Sequence, residues 1–268
     1  MARSRLIEDL SEMVAEQHEY RELLIRMTAR DLLVRYKQAV MGFGWAVFMP
    51  LVNTVLFTVI FTRVAHVETD VPYPIFAYTG LMFWNFFASS LRFCVVSLSS
   101  NATLVTKVYF PREILPITYV AAALFDFLVA STLLAALMIY YRVPLTINAL
   151  YVVPIIAVLS CFALAMSFLF SATQVRFRDI GVAVPLLLQV WLFATPVIYP
   201  LSAVPERIRP FYTLNPMVGI IDSFRRVILN GTAPETTALL ISAVIAVILL
   251  VASYLYFKWV EATMADFA

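Results

Sequence analysis

Two charged residues stand inside long apolar runs, and they are the first candidates for chemistry. Arg92 lies in the run 75–98 and Asp126 in the run 114–141. A charge placed at membrane depth is costly, so it faces protein interior or a watered path and finds a partner. If both runs are helices, their rise puts Arg92 roughly 9 Å and Asp126 roughly 18 Å from the ends joined by 99–113. An Arg side chain is long enough to narrow that gap. Two readings stand: an ion pair that fixes one helix to the next, or one polar wall of a transport path. A proton relay would need more ionisable partners than these runs hold.

Other chemistry is missing. The chain has six glycines, and no two have the five-residue separation of a phosphate-binding Gly-x-x-x-x-Gly-Lys loop. ATP is therefore not bound here by a P-loop. Gly-x-Ser-x-Gly, His-Glu-x-x-His and Cys-x-x-Cys are absent too. Cys94 and Cys161 fall in separate apolar runs, which suits packing better than a disulfide or a metal. His18 and His66 are far apart, with no carboxylate or thiol cluster around them. The chain reads as neither an enzyme nor a metalloprotein.

The elements that must carry Arg92 and Asp126 follow from composition. Of 268 residues, 62% are hydrophobic and 13% charged. A soluble domain is nearer half apolar and a quarter charged, so the bilayer is the natural solvent. Charge-poor runs near 20 residues predict six membrane helices, over 38–62, 75–98, 114–141, 148–173, 180–199 and 236–257. None alternates with period two, so a β-barrel is not expected. No signal peptide is visible at the N-terminus. The net charge of +2 gives no reason to invoke nucleic acid.

Orientation follows from Lys and Arg in the flanks. The segment before the first run carries Arg3, Arg5, Arg21, Arg26, Arg30, Arg35 and Lys37. Lys107 and Arg112 lie between the second and third runs, Arg176 and Arg178 between the fourth and fifth, and Lys258 after the last. The opposite connections offer Arg63 and Arg142. Both termini are thus expected in the cytoplasm. One connection disagrees: 200–235 lies outside yet carries Arg207, Arg209, Arg225 and Arg226. In it Met217, Ile220, Ile221, Phe224, Val227 and Ile228 recur at spacings of three and four, one face of a short helix. Asn215-Pro216 opens that helix and Asn230-Gly231 closes it. It is too short to span, so a re-entrant hairpin is expected, with an amphipathic helix on the outer surface as the alternative.

Before the first span, Leu6, Leu10, Met13, Tyr20, Leu24 and Met27 predict an amphipathic interfacial helix. Thr28 followed by Asp31 is a candidate capping box for a second helical piece. The basic half, from Arg26 to Lys37, suits anionic headgroups.

The connection 101–116 reads Asn-Ala-Thr-Leu-Val-Thr-Lys-Val-Tyr-Phe-Pro-Arg-Glu-Ile-Leu-Pro. It closely resembles the cytoplasmic connection of ABC-2-type permeases that export O-antigen, teichoic acid and capsular polysaccharides. Further matches run in order along the chain. Arg30-Asp-Leu-Leu-Val-Arg-Tyr-Lys-Gln38 with Gly42-Phe-Gly-Trp45 and Pro50 is similar to the approach to that family's first helix. Pro72-Tyr-Pro74 with Gly80-Leu81 and Trp84 resembles its second. Arg176-Phe-Arg-Asp-Ile180, Thr195-Pro-Val-Ile-Tyr-Pro200 and Leu214-Asn-Pro216 resemble its fifth helix and outer hairpin.

The resemblance implies an all-α membrane protein with three parts. These are a cytoplasmic segment 1–37, a six-span domain 38–258 and a short tail 259–268. It implies a second copy of the chain around a central channel and two separate ATPase subunits, which hold ATP and Mg. The cargo would be a lipid-linked polysaccharide, crossing a bacterial inner membrane. A coupling helix over about 101–110 would dock on the ATPase, through Asn101, Thr103, Lys107, Tyr109, Phe110, Arg112 and Glu113. Val108, Tyr109 and Phe110 would anchor it, with Pro111 limiting bending. The first and fifth helices would line the channel with Trp45, Phe48, Trp191, Phe193 and Tyr199. Rings give sugars an apolar sliding surface, although belts and helix packing use the same residues. Three rivals remain: an ABC-2 exporter of a small amphiphile, a membrane enzyme and a secondary transporter.

Overall fold

A computed structural model describes residues 19–37, 40–42, 44–64, 69–108 and 110–263. Leu6, Leu10, Met13, His18, His66, Tyr109 and the tail beyond 263 lie outside them, so the front half of the predicted amphipathic helix is not described. The described residues are helical with no strand. Helix α1 is Arg21–Tyr36 and α2 is Gly44–Val59, continued by a π-turn, Ile60–Val64. Then come α3 Tyr73–Cys94, α4 Ser97–Ser100, α5 Ala102–Lys107 and α6 Ile114–Tyr140. A 3₁₀ turn, Ile147–Tyr151, leads into α7 Val152–Arg176, and α8 is Ile180–Ala194. Beyond it lie α9 Arg209–Tyr212, α10 Pro216–Ile228 and α11 Thr236–Thr263.

Four segments are long and apolar enough to cross a bilayer: Gly44–Arg63, Ile114–Tyr140, Ile147–Arg176 and Thr236–Ala262. The two other predicted spans differ for physical reasons. Helix α3 has 22 residues but carries polar side chains and Arg92. Helix α8 stops after 15 residues, about 22 Å against a hydrocarbon core of about 30 Å. The rest of that predicted span turns non-helical at Thr195, whose backbone is extended. The predicted break inside α1 is also absent. Thr28 sits within one continuous helix and donates to the Leu24 carbonyl at 2.8 Å instead of capping a new piece.

The packing centre is α3, whose buried face meets α6, α7, α8 and α10. Phe83, Phe87, Phe127, Phe162, Trp84 and Trp191 interlock there, with Phe87 stacked on Phe162 at 5.1 Å. A second core holds the α5 end of the bundle. Met27, Leu98, Phe110, Ile114, Phe168 and Phe257 tie α1 and the α5 connection to α6, α7 and α11. Of the four long segments, the one built on α2 is the least buried.

Helix α10 forms where its caps predict. The Asn215 side chain accepts from the Met217 amide at 3.2 Å, and Gly231 follows its end with φ +66°. Its carbonyl accepts from Asn148 Nδ2 at 2.7 Å, tying the end of α10 to the turn before α7. Gly219 lets α10 cross close over α11, where a Cβ would overlap Ser242 Oγ and the Ala238 carbonyl. Burial is not confined to one stripe: Pro216, Val218, Ser223 and Arg225 are buried with the predicted apolar face. The helix therefore packs inside protein on α3, α7 and α11.

Candidate functional site

The site is best built from the two ends of the bundle. At one end, α5 is a six-residue helix between α4 and α6, with Leu104 and Val105 packed against the second core. Thr103, Lys107 and Val108 are exposed there. Asn101 starts α5 and donates to the Ser97 carbonyl at 2.9 Å and toward the Tyr119 hydroxyl at 3.4 Å. The expected helix over 101–110 is shorter, because Val108 turns extended. Phe110 then enters the second core, 7% exposed. It anchors this connection to the second core of its own chain.

Arg112 and Glu113 turn inward as well. Glu113 is fully buried and accepts from Lys258 Nζ at 2.9 Å. Lys258 also pairs with Glu261 at 3.3 Å. The Arg112 amide donates to Glu261 Oε1 at 3.3 Å, and its guanidinium donates to the Glu261 carbonyl at 3.1 Å. The α5 connection is thus clasped to the last turns of α11 by a four-residue charge network. In the sequence Lys258 reads as a flanking basic residue, and nothing beyond its i,i+3 spacing from Glu261 marks the pair as partners of Arg112 and Glu113.

Asp126 does not pair with Arg92 among the described residues. Its Oδ1 accepts from the Tyr36 hydroxyl at 2.8 Å, and its Oδ2 meets Arg35 Nη1 at 3.3 Å. Arg35 is shared with Asp31 at 2.6 Å and lies 3.9 Å from the Phe93 ring centroid. Arg92 instead lines, with Asp126, a cavity of about 180 Å³ between α2, α3 and α6. Burial lifts the Asp31 carboxyl above the usual carboxylate range while Arg35 draws it back. Burial, reinforced by Asp126, lifts the Tyr36 phenol, which stays a donor. The Asp126 contact therefore ties α1 to α6.

At the other end one residue that sequence reasoning left as a topological anomaly organises the chain. Arg225 of α10 is 7% exposed. It donates to the Pro196 carbonyl at 2.8 Å, the Phe76 carbonyl at 3.1 Å and the Val197 carbonyl, and toward Thr79 Oγ1 at 3.4 Å. Its guanidinium lies 3.6 Å over the Phe76 ring. The Phe76 carbonyl belongs to the first turn of α3 and also accepts from the Thr79 hydroxyl at 2.7 Å, while the Pro196 and Val197 carbonyls belong to the non-helical chain after α8, where no helix supplies donors. Gly80 makes room, since a Cβ there would overlap Val197 O and the guanidinium. The signal was present: Arg225 follows Ile221 by four and precedes Ile228 by three, on the apolar face. The neighbouring charges are used locally, with Arg226 bonded to Asp222 at 2.8 Å and Glu235 at 3.1 Å.

The five predicted channel aromatics separate. Trp45 and Phe48 form an edge-on pair at 5.6 Å on the exposed face of α2. Phe193 is 54% exposed on α8. Trp191 instead wedges into the main core, 5.2 Å from Phe87. The Tyr199 hydroxyl donates to the Phe193 carbonyl at 2.8 Å and meets Tyr212 at 3.4 Å, bracing the turn after α8.

Comparison with known proteins agrees with this architecture. Residues 22–229 match the ABC-2 type transporter family. The chain is 32% identical over 250 residues to an O-antigen export system permease protein, RfbA, of Myxococcus xanthus, covering 92% of this chain and 95% of that protein. It is 32% identical over 211 residues to an RfbA of Klebsiella pneumoniae, covering 78% and 81%. The polysialic acid transport protein KpsM of Escherichia coli is 22% identical over 219 residues, covering 78% and 82%. With the match running from α1 through α10, the chain belongs to the ABC-2 type transporter family of membrane proteins.

Proposed function

We propose that this chain is the permease subunit of an ATP-binding-cassette exporter that carries a lipid-linked polysaccharide out across a bacterial inner membrane. The observation that carries the reading is the 32% identity to an O-antigen export permease over nearly the whole of both chains. Six passes are made by α2, α3, α6, the Ile147–Arg176 segment, α8 with the turn after it, and α11, with both termini cytoplasmic. The extended turn at 195–199 carries the short fifth helix the remaining distance. Helix α10 is re-entrant, a reading supported by its burial on α3, α7 and α11.

Two copies pair around a channel. The exposed apolar residues of α2 and α8, Trp45, Phe48 and Phe193 among them, are the surfaces available for pairing and for lining it. Two ATPase subunits dock on the α5 side and hold ATP and Mg; the permease makes and breaks no covalent bond. Thr103, Lys107 and Val108 form the contact, while Phe110, Arg112 and Glu113 pass the push to α11. The ATPase dimer closes on ATP, α5 moves, and the packing between the two permeases shifts to admit the glycan.

Lys107→Glu combined with Val108→Asp tests the docking. The ATPase recovered with the purified permease is expected to fall about tenfold, with the permease amount in membranes unchanged. Surface polymer should fall with it. Undiminished ATPase recovery together with undiminished export would refute the reading.

A further inference from the structure

A cavity of about 550 Å³ lies at the α10 end, roofed by the turn 69–71, the turn after α8 and the 229–235 connection. Its size is that of a ligand pocket, yet its lining is mostly polar. Arg226 is held between Asp222 and Glu235, at 2.8 and 3.1 Å, so a guanidinium and two carboxylates stand in fixed orientation. Arg209 lines it too; one amino group donates to the Val204 carbonyl at 3.0 Å, while its buried Nε has no hydrogen-bond partner among the described residues. Asp70 and Ser202 complete the wall, both exposed.

Charge decides the ligand class. Arg209, Arg225 and Arg226 face Asp70, Asp222 and Glu235, three cations against three anions. The counts balance, so the wall has no net charge to draw in a phosphate or a polyanion. A hydroxyl both donates and accepts, so it bonds to guanidinium and carboxylate alike without separating their ion pairs. We propose that this cavity is an exit-side binding site for uncharged sugar residues of the transported chain. The inference rests on the export reading and adds to it a place where the glycan pauses.

The test uses the assembled exporter in cells. Cys94 and Cys161 are replaced by Ser, and Ser202→Cys is labelled from outside with a membrane-impermeant maleimide. Glu206→Cys, exposed on the same outer segment but not lining the cavity, is the control. Cells making the polymer are compared with cells blocked in its synthesis. Labelling at 202 is expected to be roughly three-fold slower when polymer is made, as for a site occupied about two thirds of the time, with no change at 206. If Ser202→Cys does not accumulate, Thr232→Cys on the opposite wall takes its place. Equal labelling with and without polymer, equal slowing at both positions, or slowing in cells exporting only a polyanionic chain would overturn the proposal. Loss of surface polymer on deleting the permease, with no protection at 202, would sink the cavity and leave export standing. Unchanged surface polymer on deletion would sink export itself.

Discussion

The two ends of the bundle both hold irregular chain, and they do it with opposite chemistry. At the α5 end the holding groups are ion pairs: Lys258 with Glu113 and Glu261, Arg35 with Asp31 and Asp126. At the α10 end one buried Arg225 bonds to backbone carbonyls from two separated segments. Lys258 and Arg35 each hold two carboxylates, so a shift that breaks one pair leaves the other in place. A guanidinium buried on carbonyls has no such alternative, and leaving those carbonyls bare carries the full desolvation penalty. The α5 end can therefore shift one contact at a time, while the α10 end keeps its shape.

The largest effect should come from breaking the α10 end. Arg225→Ala removes the guanidinium from the Phe76, Pro196 and Val197 carbonyls, of which Phe76 keeps the Thr79 hydroxyl, and a cost of about 3 kcal/mol is expected. The permease should be lost from membranes, or recovered with a sharply lower melting temperature. Arg225→Lys should rescue only in part, because an ammonium cannot fork across three carbonyls. Folded, export-competent Arg225→Ala protein would remove the contrast between the ends.

Glu113→Gln probes the other end. It leaves Lys258 with Glu261 and keeps a carbonyl oxygen as acceptor, and should cost roughly 2 kcal/mol. Normal membrane levels but reduced ATP-dependent export are expected. Protein loss as severe as that of Arg225→Ala would mean that the α5 end is equally rigid. Tyr36→Phe should have the smallest effect, one hydrogen bond to a carboxylate, about 1.5 kcal/mol. Protease sensitivity of α1 should rise with levels and export near normal; Asp126→Ala, which also strips Arg35, should do more.

These contrasts also explain what the sequence could tell. Apolar runs locate the long helices because lipid demands them; α6 covers Ile114–Tyr140 against a predicted 114–141. Helix α10 was legible because its caps, Asn215 and Gly231, act within a few residues of themselves. Long-range polar contacts were not. Arg225 bonds to carbonyls, which every residue has, so no side-chain pattern marks Phe76 or Val197 as partners. Asp126 had Arg92 as the obvious neighbour along the bundle, while its partner Arg35 belongs to a helix that the sequence places before the membrane. Glu113 reads as a docking charge until Lys258, far along the chain, is brought over it by the packing of α11.

Export of a lipid-linked polysaccharide by this chain has one direct test. The gene is deleted and the polymer is quantified on the cell surface and on its lipid carrier inside. The account predicts that surface polymer disappears while lipid-linked chains accumulate at the inner face, and that the restored gene reverses both. Wild-type surface polymer with no internal accumulation would contradict it.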